Sequence, residues 1–282
     1  MKPQNSDSHS ANRSPTKTVM VGDVRFTYRE FGPAEGLPVI FLHHFTATLD
    51  DWDPRIIDAI AAKRRVITFD NRGIGGSEGK TPGSIAMMAD DAIAFIQALK
   101  LEQVDLLGFS MGGFISQVIA AKNPELVRRI ILAGTGPAGQ SSLSKAPTMI
   151  GDLFQGLLTL KDPKRYLFFT KTANGKAAAA AFMNRLDERK KDRGRTTTPS
   201  GVLAQIVAIY RWGEQAPMNL ATINHPVFVA NGIDDRMIPT QLSRDLASRL
   251  PNAVLKIYPD SGHGGIFQHH DEFSADALDF LS

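Results

Sequence analysis

A serine stands at the centre of a Gly-x-Ser-x-Gly pentapeptide, Gly108-Phe109-Ser110-Met111-Gly112. The residues before it, 104–107, have the pattern of a buried strand, and the residues after it continue as a helix. A serine at such a turn is held in a strained conformation that exposes its hydroxyl. The glycines remove β-carbons that would collide where strand and helix touch. The pattern predicts that Ser110 is a nucleophile; a plain Gly-rich turn is the alternative.

A serine hydroxyl needs a base within hydrogen-bond reach, and that base needs a carboxylate to orient it. His263 lies in the Gly-rich loop 260–265, which follows the last predicted strand. That loop is predicted at the carboxyl edge of the sheet, where ligands bind in open α/β folds. The other histidines after Ser110 fit a strand start or the surface: His225, His269 and His270. We therefore expect His263 to be the base.

The orienting acid is expected in the loop after the preceding strand. That loop contains two adjacent aspartates, Asp234 and Asp235. Neighbouring side chains point in different directions, so only one of them can orient His263. From the residues alone we favour Asp235, and Asp234 is the alternative; either could instead form the turn.

Two backbone N–H groups are expected to bind the oxyanion, one after the nucleophile and one in the loop after an early strand. Met111 fills the first position, and Phe45, in His43-His44-Phe45-Thr46, is our candidate for the second. The two histidines do not indicate a metal site, because no third ligand follows with suitable spacing.

The elements that must position these residues alternate between short β-branched runs and amphipathic helical patterns, which is typical of parallel strands joined by crossover helices. Strands are predicted near 18–21, 24–31, 38–42, 65–69, 104–108, 129–133, 226–230 and 254–258. Helices are predicted near 52–62, 85–99, 112–122, 240–250 and 271–280. The first two strands are expected to form an antiparallel hairpin that turns at Gly22-Asp23.

The alternation stops between residues 138 and 218, where helical patterns follow one another. This segment is predicted to be a helical lid, inserted into a core of residues 18–137 and 219–282. Its aromatic side chains could line a substrate pocket or pack onto the core, and the candidates are Phe154, Tyr210 and Trp212. Its basic run at 185–195 is expected to be a solvated loop or helix end, with a phosphate-binding patch as the lesser alternative.

Composition limits the classes of protein that remain. The 282 residues are 43% hydrophobic, carry a formal net charge of +3 and contain no cysteine, which rules out a disulfide framework, a thiolate zinc site and a cysteine nucleophile. Residues 1–17 are polar and are predicted to be a disordered tail without a signal-peptide core. We expect a cytoplasmic protein that acts on a small molecule without metal or cofactor and binds neither nucleic acid nor membrane. A monomer and a homodimer both stay open.

Three further segments resemble motifs of the α/β-hydrolase family. Residues 70–77, Asp-Asn-Arg-Gly-Ile-Gly-Gly-Ser, are similar to its Asp-x-Arg-Gly-x-Gly-x-Ser loop, 232–239 to its acid loop and 261–263 to its histidine loop. The resemblance implies an eight-stranded, mostly parallel sheet flanked by helices, with an inserted helical lid, and it places the acid at Asp235. The elbow and His-x-Phe also resemble small carboxylesterases and cofactor-free haloperoxidases or perhydrolases. His44 stands where the family has glycine, which makes it a candidate substrate-binding residue.

The function that this resemblance implies is hydrolysis of a carboxylic ester or lactone through an acyl-enzyme. Perhydrolase or haloperoxidase-like activity, carbon–carbon bond hydrolysis and a non-catalytic ligand-binding receptor are the alternatives. Thr46 departs from the proline of perhydrolase-like members, and Gly264 departs from the tryptophan that often follows the histidine of the carbon–carbon hydrolases.

Overall fold

The computed structural model describes residues 10–141 and 162–282. Eight strands form one sheet in the order β1-β2-β4-β3-β5-β6-β7-β8. They are β1 (Lys17–Val21), β2 (Val24–Phe31), β3 (Val39–Leu42), β4 (Val66–Phe69), β5 (Val104–Phe109), β6 (Val127–Ala133), β7 (Val227–Gly232) and β8 (Ala253–Tyr258). All eight predicted strands are confirmed, with shifts of at most two residues at their ends.

The sheet is antiparallel at one edge and parallel elsewhere. Strand β2 pairs antiparallel with β1 and β4, and the hairpin turns at Gly22, whose φ of +58° is readily adopted by glycine. The remaining pairs are parallel, so the carboxyl ends of β3, β5, β7 and β8 lie along one edge. This edge receives the loops that carry the predicted site residues.

Helices cover both faces of the sheet. They are α1 (Pro54–Ala61), α2 (Ile85–Ala98), α3 (Met111–Lys122), α4 (Lys164–Leu167), α5 (Ala173–Leu186), α6 (Pro199–Glu214), α7 (Thr240–Arg249), α8 (Gly265–Gln268) and α9 (His270–Leu281). Alternate residues of a strand enter opposite layers: Ile40 packs in the layer with α2 and α3, while Phe41 packs in the layer with α1 and α9. No described helix combines the length and hydropathy of a membrane span.

Between β6 and β7, the described residues 134–141 and 162–226 form helices and loops without a strand. Arg185 of α5 joins this segment to the core, because its guanidinium forms a two-pronged ion pair with the buried carboxylate of Asp53. Arg189 is also buried, and it donates hydrogen bonds to the carbonyls of Ala11 and Ser14. These two members of the basic run are therefore packed rather than solvated, whereas Lys190 and Lys191 are exposed.

The described residues before β1 depart from the expected disordered tail. Ala11 and Ser14 are buried, and the N–H of Ala11 donates to the carboxylate of Asp58 in α1. The polar composition of this segment could not predict the packing, because backbone groups make the hydrogen bonds to Arg189 and Asp58.

Candidate active site

Ser110 occupies the sharp turn between β5 and α3. Its φ of +56° and ψ of −116° are an unusual conformation for a residue other than glycine. Its N–H donates to the carbonyl of Ala133, and its carbonyl accepts from Thr135 Oγ1 at 2.9 Å. Neighbouring backbone and side-chain groups thus hold the strained turn that presents a nucleophile in this type of fold.

The glycines of the elbow are required by close packing, as the sequence predicted. A β-carbon on Gly112 would collide with the carbonyl oxygen of Leu42 at the end of β3. A β-carbon on Gly108 would likewise collide with the carbonyl oxygen of Gly112. The first turn of α3 therefore lies directly against the end of β3.

His263 and Asp235 form a hydrogen bond of 2.8 Å between Nδ1 and Oδ2, and neither side chain has exposed surface. A carboxylate oxygen accepts, so Nδ1 carries the proton and Nε2 presents a lone pair. Nε2 is buried and has no hydrogen-bond partner among the described residues. The residues that leave Nε2 unbonded include Ser110, so the hydrogen bond between nucleophile and base stays a prediction.

The structure distinguishes the two adjacent aspartates. Asp235 is buried, and its second oxygen accepts from the N–H groups of Met237 and Ile238 at 2.8 and 3.0 Å. Asp234 is exposed, and its N–H donates to the carbonyl of Ser261 in the histidine loop. Asp235 is the aspartate that contacts His263, in the position that the sequence favoured.

The two candidate oxyanion donors lie on adjacent structural elements. Met111 is the first residue of α3, a position where the N–H has no intrahelical acceptor. Phe45 lies in the loop after β3, against which the first turn of α3 packs. This proximity is consistent with the predicted pair, whose role as an oxyanion hole stays a prediction.

Thr46, next to Phe45, has a φ of +63°. Its N–H donates to Gln205 Oε1 at 2.7 Å, and its carbonyl accepts from Thr197 Oγ1 at 2.7 Å. Proline has a fixed negative φ and no N–H, so it cannot occupy this conformation. The loop therefore follows a path that a proline at position 46 would not allow, and residues of the inserted segment hold it.

His44 is buried at the same edge of the sheet. Its Nδ1 lies 2.8 Å from the carbonyl oxygen of Phe45, and its Nε2 has no partner among the described residues. Burial lowers the pKa of His44 to about 3 and that of His43 to about 4, so both rings are neutral near pH 7. In the described part of the chain, no three His, Cys, Asp or Glu side chains come together as a metal ligand set.

Two phenylalanines that were not among the predicted site residues link these groups. The ring of Phe109 lies 4.8 Å from His263 and 5.5 Å from His44, between ring centroids. The ring of Phe168 lies 5.4 and 5.1 Å from the same two rings. Phe109 occupies the unspecified position before the serine in the Gly-x-Ser-x-Gly motif. The alternation of side chains along β5 could have predicted that it lies in a buried layer. No local signal pairs Phe168 with His263.

Two of the three aromatic residues predicted to contact substrate lie within the described part of the chain, in different environments. Phe154 lies outside the described residues. Tyr210 is exposed, with 54% of its surface accessible. Trp212 is 1% exposed and stacks on Phe114 of α3 at 5.2 Å. Tyr210 is therefore a surface residue, and Trp212 is a core residue because its ring stacks on Phe114. Neither position supports a substrate contact.

A cavity of about 420 Å³ lies in the inserted segment. Its described lining consists of Arg165, Tyr166, Phe169, Thr170, Lys171, Lys176 and Ala179. Ser110, Asp235 and His263 do not contribute to this described lining.

Comparison with known proteins agrees with this geometry. The family model described as the alpha/beta hydrolase fold matches residues 38–270. The chain therefore belongs to the α/β-hydrolase family.

Individual relatives are similar over nearly their whole length. An alpha/beta hydrolase fold protein from Chitinophaga pinensis is 37% identical, with a TM-score of 0.93 over 97% of this chain and 99% of that one. RutD of Agrobacterium fabrum, which carries the name of a carbamate hydrolase, is 30% identical over 82% of this chain and 87% of its own. BpoC of Mycobacterium tuberculosis, named for a non-heme bromoperoxidase, is 30% identical over 88% of this chain and 94% of its own. The expected haloperoxidase-like relatives are confirmed.

Proposed function

We propose that this protein is a serine hydrolase that cleaves a carboxylic ester or lactone through an acyl-enzyme. The observation that carries the proposal is the buried hydrogen bond between His263 and Asp235, in a fold where Ser110 occupies the strained elbow. A binding protein has no need of a nucleophile turn together with an oriented imidazole. Family membership and relatives named as hydrolases support the same class of reaction.

In the proposed reaction, Ser110 Oγ attacks the substrate carbonyl and His263 Nε2 takes the hydroxyl proton. Asp235 holds the ring in the Nδ1–H tautomer and stabilises the imidazolium that forms. The N–H groups of Phe45 and Met111 bind the oxyanion. His263 then gives its proton to the departing alcohol oxygen, and it later activates the water that releases the acid and regenerates Ser110.

The named bromoperoxidase relative makes perhydrolysis the main rival. Perhydrolase-like members of the family tend to have proline at the position of Thr46. The positive φ of Thr46 is closed to proline, so the conformation of this loop favours hydrolysis over perhydrolysis.

The test is turnover of 4-nitrophenyl esters of graded acyl length and of simple lactones by the wild-type protein and by Ser110→Ala. We expect wild-type turnover and a loss of at least about 10³-fold in kcat for the variant. Equal rates for the two proteins would overturn the proposal. Formation of peracetic acid and water from acetic acid and hydrogen peroxide, followed through the halide that the peracid oxidises and far faster than ester hydrolysis, would favour the perhydrolase.

A further inference from the structure

Two imidazole rings contact the same pair of aromatic side chains. His44 and His263 each pack against Phe109 and Phe168, with ring centroids 4.8 to 5.5 Å apart. The strand register explains why. Leu42 of β3 pairs with Gly108 of β5 in parallel, and His44 and Ser110 each follow two residues later. His44 therefore leaves the sheet beside the nucleophile.

The hydrogen bond of His44 determines which ring nitrogen carries the proton. The carbonyl oxygen of Phe45 can only accept, so Nδ1 donates to it and Nε2 presents a lone pair. His44 is 5% exposed, and its Nε2 is buried without a partner among the described residues. A buried acceptor without a donor destabilises the folded state. Such an atom, on a ring that packs against Phe109 directly before Ser110, points to a donor that arrives with the ligand.

The ring is better suited to accept a hydrogen bond than to abstract a proton. Burial holds the pKa of His44 at about 3, and an effective general base has a pKa near the working pH. The carboxylate of Asp51 favours the protonated ring without overcoming the effect of burial, and the ammonium of Lys164 disfavours it. Hence His44 stays neutral while His263 performs the proton transfers.

We propose that His44 Nε2 accepts a hydrogen bond from the acyl part of the substrate and selects esters or lactones with a hydroxyl or amide N–H on the carbon next to the scissile carbonyl. This inference rests on the proposed function. The acyl side follows from the positions of the two rings: the leaving group must reach His263 Nε2 for its proton, whereas His44 directly precedes the oxyanion-hole candidate Phe45.

The matched substrates are 4-nitrophenyl 2-hydroxy and 2-methoxy esters, at the straight-chain acyl length that the protein hydrolyses fastest. Both oxygen substituents activate the carbonyl, but only the hydroxyl donates. We expect the wild type to favour the hydroxy ester by about 5- to 100-fold in kcat/KM, after subtraction of the uncatalysed rate. A ratio of rates within one preparation does not depend on the fraction of folded protein.

Two variants of His44 distinguish the effect of its hydrogen-bond acceptor on the substrate preference from the effect of its ring shape. His44→Phe keeps a planar ring without an acceptor, and the preference is expected to fall close to 1. His44→Gln supplies an acceptor oxygen, and part of the preference is expected to remain. A wild-type ratio near 1, or an unchanged ratio in His44→Phe, would overturn this inference while ester turnover itself upheld the proposed function. Absence of ester turnover, with no covalent labelling of Ser110, would overturn both.

Discussion

Nδ1 of His263 lies 2.8 Å from Oδ2 of Asp235, and both side chains are fully buried. The second oxygen of Asp235 is fixed by two backbone N–H groups of its own loop. A carboxylate with both oxygens engaged can hold the imidazole in one tautomer and one orientation. The free lone pair on His263 Nε2 is a consequence of this bond.

Replacing Asp235 by Asn tests that relationship. The change keeps the side-chain volume but removes the charge that stabilises the imidazolium, and the new amide N–H can favour the wrong tautomer. We expect kcat for the best ester to fall by about 10²- to 10⁴-fold. The matched control is Asp234→Asn, at an exposed neighbour, which should stay within about twofold. Similar losses in both variants would contradict the assignment of Asp235.

Gly112→Ala tests the packing of the elbow. Its new methyl group would collide with the carbonyl oxygen of Leu42, which is backbone and cannot move aside cheaply. We expect a loss of at least about 2 kcal/mol in the free energy of unfolding and at least 10-fold in kcat. Gly83→Ala is the control, because its nearest neighbour is the flexible end of Arg211 at 3.5 Å. An unfolding curve for Gly112→Ala that matches the wild type would refute this account of the elbow.

Arg185→Met tests how the inserted segment is joined to the core. The variant leaves the carboxylate of Asp53, which has no exposed surface, without its guanidinium partner. We expect a loss of about 3 kcal/mol in the free energy of unfolding, measured in urea. Lys190→Met, at an exposed position of the same basic run, should change it by less than about 0.5 kcal/mol. Equal effects would show that Arg185 is as solvated as its neighbour.

The low pKa of His44 predicts a pH dependence of stability. The unfolded chain binds a proton at this residue near pH 6.5, while the folded protein does so only near pH 3, because burial penalises the charged ring. Stability is therefore lost as pH falls through 6.5 toward 3. Between pH 7 and pH 5, His44 alone should cost the wild type about 2 kcal/mol of unfolding free energy.

His44→Gln provides the comparison, because glutamine does not titrate. Urea unfolding at pH 7 and pH 5 should show a smaller decrease for His44→Gln than for the wild type, by that same amount. Titrating groups that do not interact with His44 are present in both proteins and cancel in the difference. The neighbouring Asp51 stays ionised from pH 7 to pH 5, because the ammonium of Lys164 holds its pKa well below the usual range. Equal decreases in the two proteins would mean that His44 is not held neutral by burial.

Much of the fold could be predicted because its signals are local. Most strands are short runs rich in β-branched, aromatic and other apolar residues, and Gly22-Asp23 and the elbow glycines mark turns that few other residues allow. The positions of Ser110 and His263 followed from loop position and chain order. The spacing of the acid loop strengthened the preference for Asp235 over Asp234, and the buried hydrogen bond now distinguishes them.

What could not be predicted depends on contacts between distant parts of the chain. Trp212 stacks on Phe114, although both an exposed pocket wall and a core contact fit an aromatic residue on an amphipathic helix. The backbone N–H of Ala11 donates a hydrogen bond to the carboxylate of Asp58, 47 residues away in the sequence. The contact of Phe168 with both His44 and His263 likewise depends on how the inserted segment folds back over the sheet edge.

The central claim is that Ser110 is a nucleophile activated by His263. The most direct measurement is intact-mass analysis after incubation with a fluorophosphonate, which forms a stable covalent bond to an activated serine. We predict one adduct per chain in the wild type, mapped by peptide sequencing to Ser110, no adduct in Ser110→Ala, and much slower labelling in His263→Ala. An unlabelled wild-type protein, or an adduct that persists in Ser110→Ala, would contradict the account.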